Sequence, residues 1–447
     1  MRRLMNGEGI DPSMLSQLSG MQVDPAMLQQ MMAQLQQVFA GPADGKITWD
    51  ATRTQALHLA NQESRAIGQA QRSDLDQAFS LAELWVSDAT TIAAPSERPR
   101  VISRGEWVEQ TLPVWQEVAE PVATSIADAL TAALREQVPE EMSEIVGTAG
   151  RLMRSVGGTL FASQLGQVIG KLSREVISGG DVGIPVMPAG HAVILPQNFA
   201  ELGEGLEIPD DQLALFVAAR ELASARLFRH AKWLRLDVLS QIGDYARDIH
   251  VDTDTLEDLA SRFDPSNPEE LRSALESGAL LPRQTADQQA ALERLETLLA
   301  LIEGWIDVVA TDATSRVPSL ARIAEATRRR RAVGGPAEDA LGALVGLKIR
   351  PRRLREASMM WRTIGDAVGN DVRDSLWDYP DLIPTSADID DPQALISRLQ
   401  AGQRGETAEA DEFDEALAQL LAGGFDTPTD ETNADGDDDA SGGEKPV

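Results

Sequence analysis

The stretch ALFVAARELASARLFRHAKWL, residues 214–234, determines which fold and which site this chain can form. Apolar residues recur in it at helical spacing, so the sequence predicts an amphipathic helix that begins near Pro209. Four side chains follow one another at steps of four, four and three residues and share one face: Phe216, Arg220, Ser224 and Leu227. Because the two apolar members belong in a core, Arg220 and Ser224 are predicted to point inward with them.

The segment RELAS, residues 220–224, has the spacing of the zinc-binding pattern H-E-x-x-H. In such a helix two His side chains on one face bind the metal, and the Glu activates the metal-bound water. Here Arg220 and Ser224 stand at the two His positions, with Glu221 between them. A guanidinium stays protonated and cannot bind Zn²⁺, and Ser is a poor ligand. Taken alone, the pattern fits an ordinary helix as well as a metal helix that has lost its ligands.

A second apolar stretch, TLLALIEGWIDVVA at residues 297–310, carries two acidic residues four positions apart, Glu303 and Asp307. Apolar residues surround them on nearly all sides of the predicted helix, and a buried carboxylate needs a cation or a metal. A buried Arg220 needs an anion for the same reason. The sequence therefore favours pairing of Arg220 with Glu303, and Asp307 is a further charge partner. The alternative places Glu303 on a surface stripe beside Gly304, with Arg220 bridging locally to another acid.

Composition and charge restrict the class of protein. The chain has 447 residues, a formal net charge of −31 and no cysteine, so disulfides and thiolate zinc sites are excluded. The first residues, MRRLMNGEGIDPSML, lack the apolar run of a signal peptide, and we expect a cytoplasmic protein. Because the acidic charge repels phosphates and anionic lipids, neither nucleic acid nor a membrane is expected as a partner. The sequence does not indicate an oligomeric state.

Composition shifts along the chain predict three segments. Residues 1–45 are rich in Met and Gln and are predicted to form a flexible arm. Residues 46–400 carry helical patterns and are predicted to form one helical domain, with a division into two lobes near residue 180 left open. Within it, the Gly- and Pro-punctuated segment after Gly179 is predicted to contain one or two short strands, the clearest at residues 192–195. Residues 401–447 hold 14 acidic residues against Arg404 and Lys445 and are predicted to form a largely disordered tail.

A basic segment and a few histidines are the remaining candidates for chemistry. The basic segment, residues 322–362, contains the run Arg328–Arg331 and could contact nucleic acid. The acidic total favours instead a solvated helix face or a partner for the acidic tail. None of the four histidines has a His partner at helical spacing, but His230 or His250 could complete a metal site with carboxylates.

Seven stretches, which run in order over residues 101–392, resemble a known family. They are VISRGEWVEQTL (101–112), GGTLFASQLGQVIG (157–170), MPAGHAVILPQNFAELGEGLEIP (187–209), RELASARLFRHAKWL (220–234), LLALIEGWIDVV (298–309), GLKIRPRRLREA (346–357) and DSLWDYPDLIPTSADIDDP (374–392). Their combination resembles an actinobacterial zincin-like hydrolase family, whose members are often labelled zinc-dependent metalloproteases.

This resemblance implies a mainly α, zincin-like multi-helix fold with one or two short strands before the motif helix. It also implies that Arg220 and Ser224 stand at vestigial metal-ligand positions and Glu221 at a vestigial general-base position. Glu303 is the best match for the third, acidic ligand. The sequence departs from the family pattern at both His positions, so its H-E-x-x-H motif is degenerate.

Three hypotheses about function follow. The leading one is a pseudoenzyme with no competent zinc site and no cofactor, in which Arg220 replaces the charge of the metal. Its cleft would bind a peptide or protein segment, with the strand near residues 192–195 as an edge. The second is an active peptidase or hydrolase, which would hold a metal such as zinc through Glu221, Glu303 and either His230 or His250, or use no metal at all. The third is an interaction protein whose Met- and Gln-rich arm and acidic tail recruit partners.

Overall fold

The fold of the described part of the chain is mainly α-helical. A computed structural model describes residues 49–136, 158, 159, 161–204, 206–247, 285–332, 342 and 353–404. Long helices dominate these ranges and the strands are short, so the predicted fold class is confirmed. Within these ranges the helices are too short or too polar to cross a membrane. The predicted arm at residues 1–45 lies outside the described residues, as does the predicted acidic tail beyond residue 404.

Thirteen helices lie in the described ranges. They are α1 (Asp50–Asn61), α2 (Gln69–Ala89), α3 (Arg104–Glu136), α4 (161–172), α5 (Pro196–Gly203), α6 (Asp210–His230), α7 (Lys232–Arg247), α8 (Ala286–Ala313), α9 (Leu320–Ala332), α10 (Leu354–Val368), α11 (Asn370–Ser375), α12 (Ser386–Asp390) and α13 (Pro392–Gln403). Single 3₁₀ turns cover Gly179–Val182 and Pro380–Leu382. The chain divides into two compact units, Met1–Gln393 and Ala394–Val447, and everything described below lies in the first.

Helix α6, which contains RELAS, forms the centre of the first unit. Asp210 and Asp211 lie in its first turn and Arg229 lies in its last, and each of these charges interacts favourably with the helix dipole. The helix packs against α2 and α8 and also contacts α5 and α9. It is buried on nearly all sides between Leu213 and Leu227, so its polar side chains at 220, 221 and 224 face the interior of the protein.

Helix α8 carries the two acidic candidates and lies against α6 and α10. A capping box fixes its start: Thr285 Oγ1 accepts from the backbone N–H of Gln288, and Gln288 Oε1 accepts from the backbone N–H of Thr285. Glu303 and Asp307 are both buried on the side of α8 that contacts α6. Burial of Glu303 excludes the alternative in which it lies on a surface stripe beside Gly304.

Gly304 allows α8 and α10 to approach each other closely. A Cβ atom added there would lie 2.9 Å from the carbonyl carbon of Ala357 and 2.9 Å from the backbone nitrogen of Ser358. We expect Gly304→Ala to lower the free energy of unfolding by about 1–2 kcal/mol, because overpacking against backbone outweighs the better helix propensity of Ala. Urea unfolding would measure it. Gly68→Ala is the control, since a Cβ at Gly68 meets nothing within 4 Å.

Two short parallel strands lie beside α6. β1 (Arg100–Val101) pairs with β2 (Val193–Ile194), so that Arg100 is opposite Val193, and Ser178 forms an antiparallel bridge with Ile194 on the other side. The predicted strand at residues 192–195 is therefore present, but its partner β1 was not predicted. Both edges of β2 are occupied, because Arg100 N–H and Ile102 N–H donate to it from one side and Leu195 N–H donates to Ile177 O on the other. The strand is not the free edge that the peptide-binding hypothesis required.

Candidate functional site

The centre of the site is a buried ion pair between α6 and α8. Arg220 Nη2 donates to Glu303 Oε2 over 2.6 Å. The side chain of Arg220 is 11% exposed and that of Glu303 is 3% exposed, so water screens the pair weakly. The structure thus brings together the two residues whose pairing the sequence favoured.

Asp307 lies one helical turn beyond Glu303, and its main ion-pair partner is Arg328 in place of Arg220. Its Oδ2 accepts from Nε and Nη2 of Arg328 on α9, at 3.0 and 2.8 Å. Its Oδ1 is buried without a hydrogen-bond partner among the described residues, and Arg220 Nη1 lies 3.8 Å from it. Asp307 is therefore a secondary charge partner of Arg220, and Arg328 provides its main neutralising contact.

Two further arginines of α9 contact the 3₁₀ turn at Gly179–Val182, and one of them also contacts Glu303. Arg331 Nη2 lies 3.1 Å from Glu303 Oε1, and the same guanidinium donates to the carbonyl oxygens of Gly180 and Asp181 at 2.8 and 2.6 Å. Arg330 Nη2 lies 2.8 Å from Asp181 Oδ2. Arg331 thus holds the turn and shares Glu303 with Arg220.

The prediction that the basic segment forms a solvated helix face is therefore wrong for Arg328, Arg330 and Arg331. Only Arg329 in that run matches it, with a side chain that is 74% exposed. The three inward arginines were missed because a run of Arg is usually a solvated face. A signal was available: Ala324, Arg328 and Arg331 follow at steps of four and three, which places them on one face that begins with a buried residue.

Glu221 lies on the opposite side of the same turn. Its Oε2 accepts from the backbone N–H of Gly180 at 2.8 Å, and its Oε1 accepts from that of Val193 at 3.0 Å. A Cβ at Gly179 would lie 2.6 Å from Oε1, so the Gly-Gly pair is what allows the carboxyl group to approach the turn. Burial raises the pKa of Glu221, and this outweighs the two backbone donors that lower it.

The raised pKa of Glu221 gives the stability of the protein a defined pH dependence. The folded protein holds this proton more tightly than the unfolded chain, so the stabilising contribution is complete below the ordinary value of 4.5 and is lost as pH rises through the folded pKa. We expect the unfolding free energy of Glu221→Gln minus that of the unchanged protein to increase with pH above this value, by at most about 1.4 kcal/mol per pH unit. Chemical unfolding at a series of pH values measures the difference. A difference that stays constant or falls with pH would show that burial does not raise this pKa.

Two cavities border α6 at these residues. The larger, of about 190 Å³, is lined at its polar end by Arg220, Glu221, Ser224, Arg330 and Arg331. The smaller, of about 30 Å³, is lined by Glu221, Ser224 and Glu303 and also by His191, which sequence reasoning did not select. Ser224 therefore contributes to both cavities, and the four RELAS-associated residues Arg220, Glu221, Ser224 and Glu303 form one site.

The histidines proposed as alternative metal ligands are not part of this site. His230 Nε2 lies 2.7 Å from Asp378 Oδ1, both side chains are partly exposed, and His230 lines neither cavity. His250 lies outside the described residues. In the part of the chain that the structure describes, no group of three or more His, Cys, Asp or Glu side chains is arranged to hold a metal ion.

Comparisons with known proteins agree with the zincin-like part of the resemblance seen in the sequence. A family model described as "Zincin-like metallopeptidase" matches residues 47–396. A crystal structure of a "putative hydrolase with a novel fold" from Chloroflexus aurantiacus is similar over 79% of this chain and 99% of its own, with a TM-score of 0.54 and 19% sequence identity. At this identity the likeness concerns the fold alone. No curated protein matches the chain.

Proposed function

The chain belongs to the zincin-like metallopeptidase family, and we propose that it is a member without a competent zinc site that binds a peptide or protein segment without cleaving it. The observation that carries the proposal is the 2.6 Å contact between Arg220 and Glu303. The guanidinium stands at the first ligand position of the motif and supplies a positive charge beside the carboxylate that corresponds to the third ligand. The charge of Arg220 thus substitutes for the charge of the metal.

The donor atoms at the motif positions support this proposal because they do not fit zinc. Zinc in proteins takes thiolate, imidazole or carboxylate ligands, and catalytic sites use three of them. Arg220 offers no lone pair, Ser224 offers a neutral hydroxyl, and Glu303 already neutralises Arg220 and Arg331. No step of a hydrolytic reaction is therefore assigned to a metal here.

The contacts of Glu221 support a structural role in place of general-base catalysis. A general base must reach the water whose proton it removes. Each carboxyl oxygen of Glu221 instead accepts a backbone N–H, one from the 3₁₀ turn and one from β2. We propose that Glu221 now joins α6 to the turn and to the strand.

The larger cavity is the part of the former cleft that we propose still binds a ligand. Since both edges of β2 are occupied, a peptide cannot add to it as a further strand without displacing β1 or residue 178. Recognition therefore takes place by insertion of a side chain or a chain terminus into the cavity beside Arg220.

Peptide cleavage tests the proposal. We expect the purified protein to leave unstructured protein substrates and mixed peptide libraries intact, with and without added zinc. Glu221→Gln, which keeps the size of the side chain, should behave identically. Chelator-sensitive cleavage that the Glu221→Gln variant loses would overturn the proposal.

An active metal-dependent peptidase or hydrolase with unusual ligands is the second candidate. One observation favours it: a buried carboxyl group with a raised pKa, Glu221, lines a cavity together with Ser224. The position of His230 at the partly exposed pair with Asp378 counts against a site made of Glu221, Glu303 and His230. Cleavage that persists in chelator would favour instead a hydrolase that uses no metal.

A further inference from the structure

The larger cavity has the size and the apolar wall of a site for a small organic ligand. Its volume is about 190 Å³, and an engineered apolar cavity of about 150 Å³ in another protein binds benzene. One wall is aliphatic and includes Ile177, Leu202, Leu213, Val217, Ile306 and Ile323. A ligand that fits this wall has a branched or short aliphatic part of a few carbon atoms.

The opposite end of the cavity holds guanidinium donors that the protein uses only in part. A guanidinium carries five N–H donors. Arg220 makes one hydrogen bond, through Nη2 to Glu303, and Arg330 uses Nη2 for Asp181 and for the carbonyl oxygen of Glu175. Within the described ranges, Nε and Nη1 of these two arginines make no hydrogen bond. Nη1 of Arg220 lies 3.8 Å from Asp307 Oδ1, which is an ion-pair distance but not a hydrogen bond. Because both arginines line the cavity, their unused N–H groups can donate to an acceptor that enters it.

The charges around this end favour an anion over a cation. The guanidinium groups belong to Arg220, Arg328, Arg330 and Arg331, and the facing carboxyl groups to Asp181, Glu221, Glu303 and Asp307. Three of these guanidinium groups and two of these carboxyl groups line the cavity itself: Arg220, Arg330 and Arg331 against Asp181 and Glu221. An entering carboxylate balances this excess of positive charge, whereas an amine would face the arginines.

We propose that the cavity between α6 and α9 binds an aliphatic carboxylate, with its hydrocarbon part on the apolar wall and its carboxylate on the spare donors of Arg220 and Arg330. Two sources share this chemistry: a free branched-chain acid and the C-terminal residue of a protein or peptide. The proposal rests on the proposed function in one respect, since it requires Arg220, and not a bound zinc ion, to provide the charge.

Calorimetric titration of the full-length protein with isocaproate and with isocaproamide tests the proposal, because the two probes share their hydrocarbon part and differ at the carboxylate alone. A second pair, a short peptide that ends in Leu with a free carboxylate and the same peptide amidated, distinguishes the sources. We expect each acid to bind at least about tenfold more tightly than its amide. Tighter binding of the peptide acid identifies chain termini as the source, and tighter binding of isocaproate identifies a free acid.

Three variants on one helix separate the proposed site from the surface of α9. Arg330→Gln should weaken binding of the acid by about tenfold, because it removes one donor group. Arg329→Gln is the matched control, since that side chain is 74% exposed and pairs with Glu325. Ala326→Phe places a ring in the cavity, which Ala326 lines, and should abolish binding while the circular-dichroism spectrum stays unchanged.

Equal affinity for acid and amide, no measurable binding of either, or equal effects of Arg330→Gln and Arg329→Gln would overturn the proposal. Repeating the titration with chelator distinguishes its failure from failure of the proposed function. Acid binding that survives chelator supports an arginine site, and acid binding that chelator removes attributes the carboxylate to a metal and overturns both.

Discussion

Arg220→Met is expected to lower the free energy of unfolding by about 3 kcal/mol, the lower end of the range for breaking a buried ion pair. The Met side chain conserves most of the volume of Arg220 but leaves Glu303, which is 3% exposed, without its closest cation. The loss should not exceed this value greatly, because Arg331 still contacts Glu303 at 3.1 Å. Asp307 likewise keeps Arg328.

Urea unfolding of four proteins measures this effect: the unchanged chain, Arg220→Met, Glu303→Gln and the double variant. The double variant should be more stable than the sum of the single losses predicts, because it removes both charges together. Arg329→Met, at an exposed position of α9, is the control and should change stability by less than about 0.5 kcal/mol. A loss for Arg220→Met no larger than that of the control would show that the pair does not stabilise the fold.

Restoring the two His positions should give the protein a zinc site. Arg220→His combined with Ser224→His places two imidazoles one helical turn apart, and Ser224 and Glu303 already line the same small cavity. Removing the guanidinium also frees Glu303 from its 2.6 Å contact. We expect the double variant to retain about one zinc per chain after dialysis, and zinc to raise its melting temperature.

Arg220→Ala combined with Ser224→Ala is the matched control, because it removes the same two side chains and supplies no ligand. It should retain no zinc. Adding Glu303→Gln to the double-His variant should weaken zinc binding, since it removes the third ligand. A folded double-His variant that binds no more zinc than the alanine control would contradict the interpretation of residues 220, 224 and 303 as former ligand positions.

The pairing of Arg220 with Glu303 was predictable because each of these residues lies on an apolar helix face. A charge buried on such a face needs a partner of opposite charge. Helical spacing alone predicted that Arg220 lies beside core residues. The apolar residues around Glu303 predicted that its carboxylate is buried as well. The short strand at residues 192–195 was predictable from its Gly and Pro boundaries. Each of these features follows from a pattern within one short segment of the sequence.

Features that depend on contacts between distant segments were not predictable. β1 is two residues long, and only its hydrogen bonds to residues 192 and 194 distinguish it from a loop. The backbone contacts of Glu221 depend on how the turn at Gly180 lies against α6, which no local spacing determines. The cavity is bounded by residues from the turn and from α5, α6, α8 and α9, so its volume exists only in the folded chain.

Zinc content is the most direct measurement of whether Arg220 has replaced the metal. Protein purified without chelator, incubated with excess zinc and then dialysed should be analysed for zinc by elemental mass spectrometry. We expect well below one zinc per chain, and no change in Glu303→Gln. One tightly bound zinc per chain that Glu303→Gln removes would contradict the proposal that Arg220 provides the charge at this site.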